Sequence, residues 1–260
     1  MLSLPAALAL ALALVLLWVI SVIARDTSIV DIFWGPGYAI VAWVCAWSVD
    51  FELEPGQWLL LALVSIWAAR LGLYLAWRNL GHGEDKRYQG FRERAGKHYW
   101  WRSLITVFGL QGTLLFIISA PIQTTLLADE VAALGPLTAI GGLLWLLGFG
   151  FEAIGDAQLA RFKANPDNAG KVMDRGLWGW TRHPNYFGDF ALWWGHFVIA
   201  WSLGAPWWTA VGPVIMSILL MRVSGVPMLE RGMRETRPAY ADYVERTSAF
   251  FPRPPKRASE

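Results

Sequence analysis

Seven apolar stretches, each near the length that a helix needs to cross a bilayer, constrain this chain more than any other feature. They run over residues 4–24, 28–49, 57–77, 103–127, 131–154, 186–203 and 207–221. About 20 helical residues rise ~30 Å, the thickness of the hydrocarbon layer. A backbone in hydrocarbon must satisfy its own hydrogen bonds, so runs of this length predict helices. The expected fold is all-α: a polytopic membrane protein with seven transmembrane helices. With 55% hydrophobic and 16% charged residues among 260, the composition does not suit a soluble domain. No linker, repeat or low-complexity segment interrupts the sequence, so residues 1–260 read as a single transmembrane domain. The first run has no positive flank before it and is followed by further runs of spanning length, which reads as a first span rather than a secretory signal.

The charges fall unevenly. Arg25 follows the first span, and residues 78–102, 161–182 and 222–257 carry the other basic clusters. Setting Arg70 aside leaves 21 of the 22 Lys and Arg on one face of this topology. The positive-inside rule makes that face cytoplasmic, with the N-terminus outside and the C-terminus inside. Cys45 is the lone cysteine, and His82, His98, His183 and His196 show no metal-ligand spacing, so no metal site is expected. Nucleic acid is not implied either, and membrane lipids are the expected surroundings.

Ionisable and polar groups within spans are costly and usually face a bundle interior or a wet cavity. Asp31, Arg70, Tyr74, Gln111, Glu152, Asp156, Asp189 and Arg222 all fall in the cytoplasmic half of this topology. That pattern suits a cavity open to the cytosol. It argues against a small transporter, which would place polar groups on both sides of the midplane. Residues 78–102 interleave cations with aromatic residues and glycines. Such a segment can lie on anionic lipid headgroups or clamp a phosphorylated cofactor, and the sequence leaves both open. The stretch Thr181-Arg182-His183-Pro184-Asn185-Tyr186 places a helix start beside two basic side chains, which suits an anion as well as it suits a plain loop-to-helix junction.

Gly176-Leu177-Trp178 followed by Asn185-Tyr186-Phe187-Gly188-Asp189 resembles the C-terminal domain of the steroid 5α-reductases, a region spanning approximately residues 104–257 here. Asp31-Ile32-Phe33-Trp34-Gly35, Glu84 to Tyr88, Leu110-Gln111-Gly112, Arg222 to Pro227 and Tyr243 to Pro252 extend the likeness to the bacterial branch of that superfamily, long catalogued as a domain of unknown function. The resemblance implies NADPH-dependent reduction of the C4=C5 double bond of a 3-oxo-Δ4 steroid or a similar enone lipid, on the cytoplasmic side of a bacterial inner membrane.

Position by position, the resemblance implies that Asn185 holds the nicotinamide amide, that Asp156 holds the adenosine, and that Arg161, Lys163 and Lys171 hold the phosphates. Trp178, Arg182, His183, Tyr186, Asp189, Arg222 and Tyr240 complete the cofactor-binding set. Trp34, Trp67, Arg70 and Gln111 form the substrate-binding set. Asp31, Tyr74 or Tyr88 is the expected proton donor. An enone accepts hydride at its β carbon once an acid stabilises the enolate oxygen, and a carboxyl held neutral by an apolar cavity would serve. The chain lacks a Gly-x-Gly-x-x-Gly fingerprint, so the nucleotide would have to lie among helices and loops. The Arg182-His183-Pro184-x-Tyr186-x-Gly188 pattern is equally compatible with an S-adenosylmethionine-dependent lipid or isoprenylcysteine-type methyltransferase. That cofactor carries no phosphate and has less need of the loop cations.

Overall fold

The computed structural model describes residues 2–223, 225, 226, 230, 233, 237 and 239–254. Ser224 and Pro227, within one of the matching segments, lie outside these, as do the basic residues Arg231, Arg234, Lys256 and Arg257. Every regular element among the described residues is a helix. They form two compact units, the first comprising residues up to Gly135 with Ala200–Gly212, the second Pro136–Ile199 with Pro213 onwards.

In the first unit, α1 (Leu4–Ala24) starts where the Ser3 hydroxyl accepts from the Ala6 N–H at 3.2 Å and ends with Arg25 in the left-handed region. Its stripe of Ala6, Leu10, Leu14 and Ser21 is buried, whereas Leu8, Leu12, Leu16 and Ile23 are exposed. An apolar surface of this kind is stable only against lipid. The helices α2 (Ile29–Trp47) and α3 (Pro55–Asn79) approach closely, because Gly35 lies over the Ala68 carbonyl and Gly72 over the Pro36 ring. Residues Lys86–Ile118 then continue as a nearly unbroken helical stretch. It consists of α4 (Lys86–Ala95), a short turn, α5 (Tyr99–Ser103), a π-helical segment at Leu104–Gly109 and α6 (Leu110–Ile118). Pro121 has no N–H to continue the ladder, and the helix breaks at Ser119 before α7 (Ala120–Leu126). Gln123 heals the break by donating to the Phe116 carbonyl at 2.8 Å while its amide oxygen accepts from the Ser3 N–H.

The second unit contains most of α8 to α12. These are α8 (Pro136–Ala164), α9 (Leu177–Trp180), α10 (Pro184–Ser202), α11 (Val211–Ile218) with a π-helical extension over Leu219–Val223, and α12 (Tyr240–Arg246). The C-terminal ends of α10 and the start of α11 belong to the first unit.

Five helical stretches are long and apolar enough to span a bilayer, namely α1, α2, α3, Lys86–Ile118 and α8. The protein is an integral membrane protein. The sixth and seventh expected spans are helical but fall outside that set. The α10 helix carries Asn185, Asp189 and His196 along its 19 residues, and Trp207–Val223 is shorter.

Candidate active site

Glycines two turns apart bring α8 and α10 into backbone contact. Gly141 and Gly148 face Gly195 and Gly188, and Gly155 faces Pro184 and Asn185 at the start of α10. A Cβ placed on Gly195 would stand 2.7 Å from the Trp145 nitrogen, and one on Gly141 would stand 2.8 Å from the Ile199 nitrogen. A seven-residue spacing keeps each series on one face of its helix, and residues without side chains let two backbones meet. This seam brings the Asn185 amide, in the first turn of α10, to 3.1 Å from Asp156 Oδ1. Asp156 and Glu152, one turn apart on α8, are both buried.

The loop between α8 and α10 folds back on the end of α8. Trp178 Nε1 donates to the Gly155 carbonyl at 2.9 Å, and the Gln158 side-chain oxygen accepts from the Leu177 N–H at 3.0 Å. Gly176 turns at φ +60° directly against the Gln158 amide, a place and a conformation that suit glycine alone. Tyr243 donates to the Trp178 carbonyl at 2.5 Å. Burial pushes the Tyr243 phenol up, and the neighbouring Tyr240, whose ring lies 5.8 Å away, adds to the shift.

Arg182 is buried and extensively bonded. Its Nε lies 2.8 Å and its Nη2 2.7 Å from Glu230 Oε1, while Nη1 donates to the Thr247 carbonyl at 2.6 Å and the Val244 carbonyl at 3.2 Å. It is a clamp on the C-terminal segment. The same Glu230 oxygen lies 3.3 Å from His183 Nε2, and the His183 ring stacks on Tyr186 at 5.6 Å. His183 Nδ1 is buried without a hydrogen-bond partner among the described residues. Burial alone would raise the Glu230 carboxyl, but the bonds from His183 and Arg182 outweigh it and hold the carboxyl at about 2 against an ordinary 4.5.

Arg161 and Lys163 stand at the end of α8 and Lys171 beyond it, all exposed, with Arg222 exposed near the end of the π-helical extension. Arg161, Lys171 and Arg222 have no carboxylate partner among the described residues, which leaves them able to bind an outside anion. Arg161 follows Asp156 by five residues, an axial distance of ~7.5 Å. Asp189 lies one turn after Asn185, and Tyr240 is buried. The donor set on this unit fits a phosphorylated nucleotide, with Arg161, Lys163 and Lys171 toward phosphate and Asp156 and Asn185 toward hydroxyl and amide groups.

In the first unit, Tyr88 donates to Asp31 Oδ1 at 2.6 Å and Arg87 Nη2 donates to Asp31 Oδ2 at 2.7 Å. The Gln111 amide reaches the Tyr88 hydroxyl at 3.4 Å. Asp31, Tyr88 and Gln111, far apart in sequence, therefore form one cluster. Asp31 thus accepts one hydrogen bond on each oxygen, and it orients the Tyr88 hydroxyl. Glu84 lies beside this cluster, bonded by Arg92 at 2.8 Å and by the Thr27 N–H at 2.8 Å. Burial would raise the Glu84 carboxyl, and these bonds bring it below its ordinary value. Tyr74 lies between the guanidinium groups of Arg70, at 5.3 Å, and Arg78, at 5.6 Å, one turn apart on either side along α3. Trp34 and the fully buried Trp67 both pack on Tyr38, each at 5.6 Å. Among the described residues, no group of three or more His, Cys, Asp or Glu is placed to hold a metal.

Sequence reasoning missed Arg87, Glu230 and the glycine seam. The seven-residue glycine spacing was a readable signal. The partnership of Glu230 with Arg182 spans 48 residues and leaves no local trace.

The model of a family described as "Protein of unknown function (DUF1295)" matches residues 17–247. The chain belongs to this family. Asp31, Tyr88, Asp156, Arg182 and Asn185 all lie inside the matched region, as do both ends of the glycine seam. Among similar proteins, "Uncharacterized protein C594.04c" of Schizosaccharomyces pombe is 24% identical over 275 residues, covering 91% of this chain and 76% of that protein. "Probable O-methyltransferase ustE" of Ustilaginoidea virens is 28% identical over 116 residues, 38% of this chain and 40% of that one. No solved structure matches at a significant level.

Proposed function

We propose that this DUF1295 member is an NADPH-dependent oxidoreductase that reduces the C4=C5 bond of 3-oxo-Δ4 steroids or a similar conjugated bond in an apolar enone lipid, from the cytoplasmic face of a bacterial inner membrane. The observation that carries the reading is the exposed cations at and just beyond the end of α8, where Arg161 and Lys171 lack carboxylate partners among the described residues, following the buried Asp156 that is bonded to Asn185. A cofactor with several phosphates has a use for such cations. When bound, it supplies the hydride. Arg161, Lys163 and Lys171 neutralise phosphate, and Asp156 and Asn185 fix the orientation of the nucleotide through hydroxyl and amide hydrogen bonds. Arg182 and Glu230 hold His183 and the start of α10 in place. In this reading Tyr88, held at rest by Asp31 and Gln111, turns its one O–H from Asp31 to the enolate oxygen, stabilises it and passes the proton, and Asp31 balances the charge. The addition of one hydride and one proton across the double bond completes the reduction.

The test is turnover of a 3-oxo-Δ4 steroid by the purified chain in detergent, followed by loss of dihydronicotinamide absorbance and by product mass. Asn185→Ala and Asp31→Ala should each abolish it, and retained turnover in both would remove the site assignment.

One observation favours a second reading. The similarity to a protein named as a probable O-methyltransferase suits an S-adenosylmethionine-dependent lipid methyltransferase. Copurified ligand separates the two. Bound dinucleotide supports the reductase, and bound adenosylhomocysteine reverses the choice.

A further inference from the structure

We propose that residues 91–102 form a binding surface for the headgroups of anionic phospholipids. The cations of this region divide into two sets. Arg87 is bound to Asp31 and Asp85, and Arg92 to Glu84, so these two serve the protein interior. Arg94, Lys97 and Arg102 are exposed and have no ion pair among the described residues, and the one carboxylate within 91–102 is the exposed Glu93, just before Arg94. The outward charge of this short segment is therefore positive.

The free cations alternate with exposed aromatic side chains. The Arg94 guanidinium lies 5.1 Å from the Phe91 ring and that of Arg102 lies 5.6 Å from Trp101. Phe91 is 40% exposed, Trp100 55% and Trp101 39%. A soluble anion needs donors and has no use for three uncovered aromatic rings. A bilayer interface uses both, because indole and phenyl rings settle at headgroup depth while basic side chains reach the phosphate.

The position agrees. Trp18 of α1 donates its indole N–H to the Trp100 carbonyl at 2.7 Å, and the two rings stack at 6.3 Å. This ties the segment to the end of the helix whose outer side is leucine, valine and isoleucine, two turns before Arg25. The aromatic pair Trp100 and Trp101 lies in α5, where the segment runs directly into a spanning helix. Cation, ring and lipid-facing wall therefore occur at one level. The proposal does not depend on the nucleotide reading.

The test uses full-length protein in neutral detergent, titrated with phosphatidylglycerol or phosphatidylcholine of matched chains and read by native mass spectrometry. Three basic side chains at a negative surface correspond to roughly a 10- to 100-fold preference for phosphatidylglycerol. That preference should vanish in the triple variant R94Q/K97Q/R102Q and shrink with added salt. Circular dichroism of the variant checks its folding, and Arg94→Gln alone, which should lower the preference only in part, serves if the triple variant fails to fold. An undiminished preference in a folded variant overturns the proposal. Full displacement of phosphatidylglycerol by inorganic phosphate overturns it in favour of a small-anion site. Loss of NADPH binding in the triple variant, with phosphatidylglycerol binding intact, overturns it by assigning these cations to the nucleotide.

Discussion

Adding one methyl group to the glycine seam should separate two helices, whereas adding the same group on an outer face of α8 should not. A Cβ on Gly188 would stand 2.8 Å from Glu152 Cβ and closer still to the Glu152 nitrogen and the Gly148 carbonyl. Ordinary carbon contacts lie at 3.5–4.0 Å, so relief requires α8 and α10 to move apart by on the order of 1 Å. Overpacking of this kind costs about 1–3 kcal/mol. Gly150 is the control, because a Cβ there meets nothing within 4 Å. Both substitutions gain about 1 kcal/mol of helix propensity, which cancels in the comparison. Gly188→Ala should therefore be less stable than Gly150→Ala by about 1–3 kcal/mol in equilibrium unfolding from mixed detergent. The Asn185 to Asp156 bond lies one turn before Gly188, so nucleotide binding should weaken in the first variant and not in the second. Equal stability of the two variants, within about 0.5 kcal/mol, would refute the claim that backbone contact sets the α8–α10 distance.

Arg182→Ala leaves Glu230 without its guanidinium and two carbonyls without a donor, a loss of about 3–5 kcal/mol in the same unfolding assay, and Arg182→Met with Glu230→Leu should cost less than Arg182→Ala alone. Glu230 is held at about 2 when folded, below its ordinary 4.5, so its contribution is present above pH ~4.5 and is lost as pH falls through ~2. After allowance for solvent screening this amounts to about 1–2 kcal/mol, and Glu230→Gln should flatten that part of the acid-unfolding curve. Tyr88→Phe removes the hydroxyl bonded to Asp31 and should lower steroid turnover by about 10²- to 10⁴-fold while leaving NADPH affinity within about twofold, as read by stopped-flow turnover and ligand titration.

Hydropathy located the first three spans to within two residues at each end, 4–24, 28–49 and 57–77 against Leu4–Ala24, Ile29–Trp47 and Pro55–Asn79. Lipid solvent demands apolar side chains and internal hydrogen bonding, and both are properties of local sequence. The same criterion misplaced elements where polarity and helicity part company. The helix α8 was expected over 131–154 but runs from Pro136 to Ala164, because Ala157, Gln158, Leu159, Ala160 and Arg161 are good helix formers that no hydrophobic window includes. The fourth span was expected over 103–127, yet helix begins at Lys86 in a stretch rich in Arg and Gln and breaks at Ser119 ahead of Pro121. Residue types also pointed to Asp31, Gln111 and Asp156, since a polar group in a mostly apolar segment needs a reason to be there, whereas Tyr88 and Asn185 came from the family resemblance.

Sequence by itself determined that this chain lives in a bilayer, that it is helical, and which polar residues are costly enough to matter. Tertiary structure decided which of them meet: Tyr88 with Asp31 and Gln111, Asn185 with Asp156, and Arg182 with a glutamate 48 residues away. Hydropathy and propensity are sums over neighbours in the chain. Pairing depends on how closely helices approach and on which donors are already taken, and those are fixed only when the helices pack.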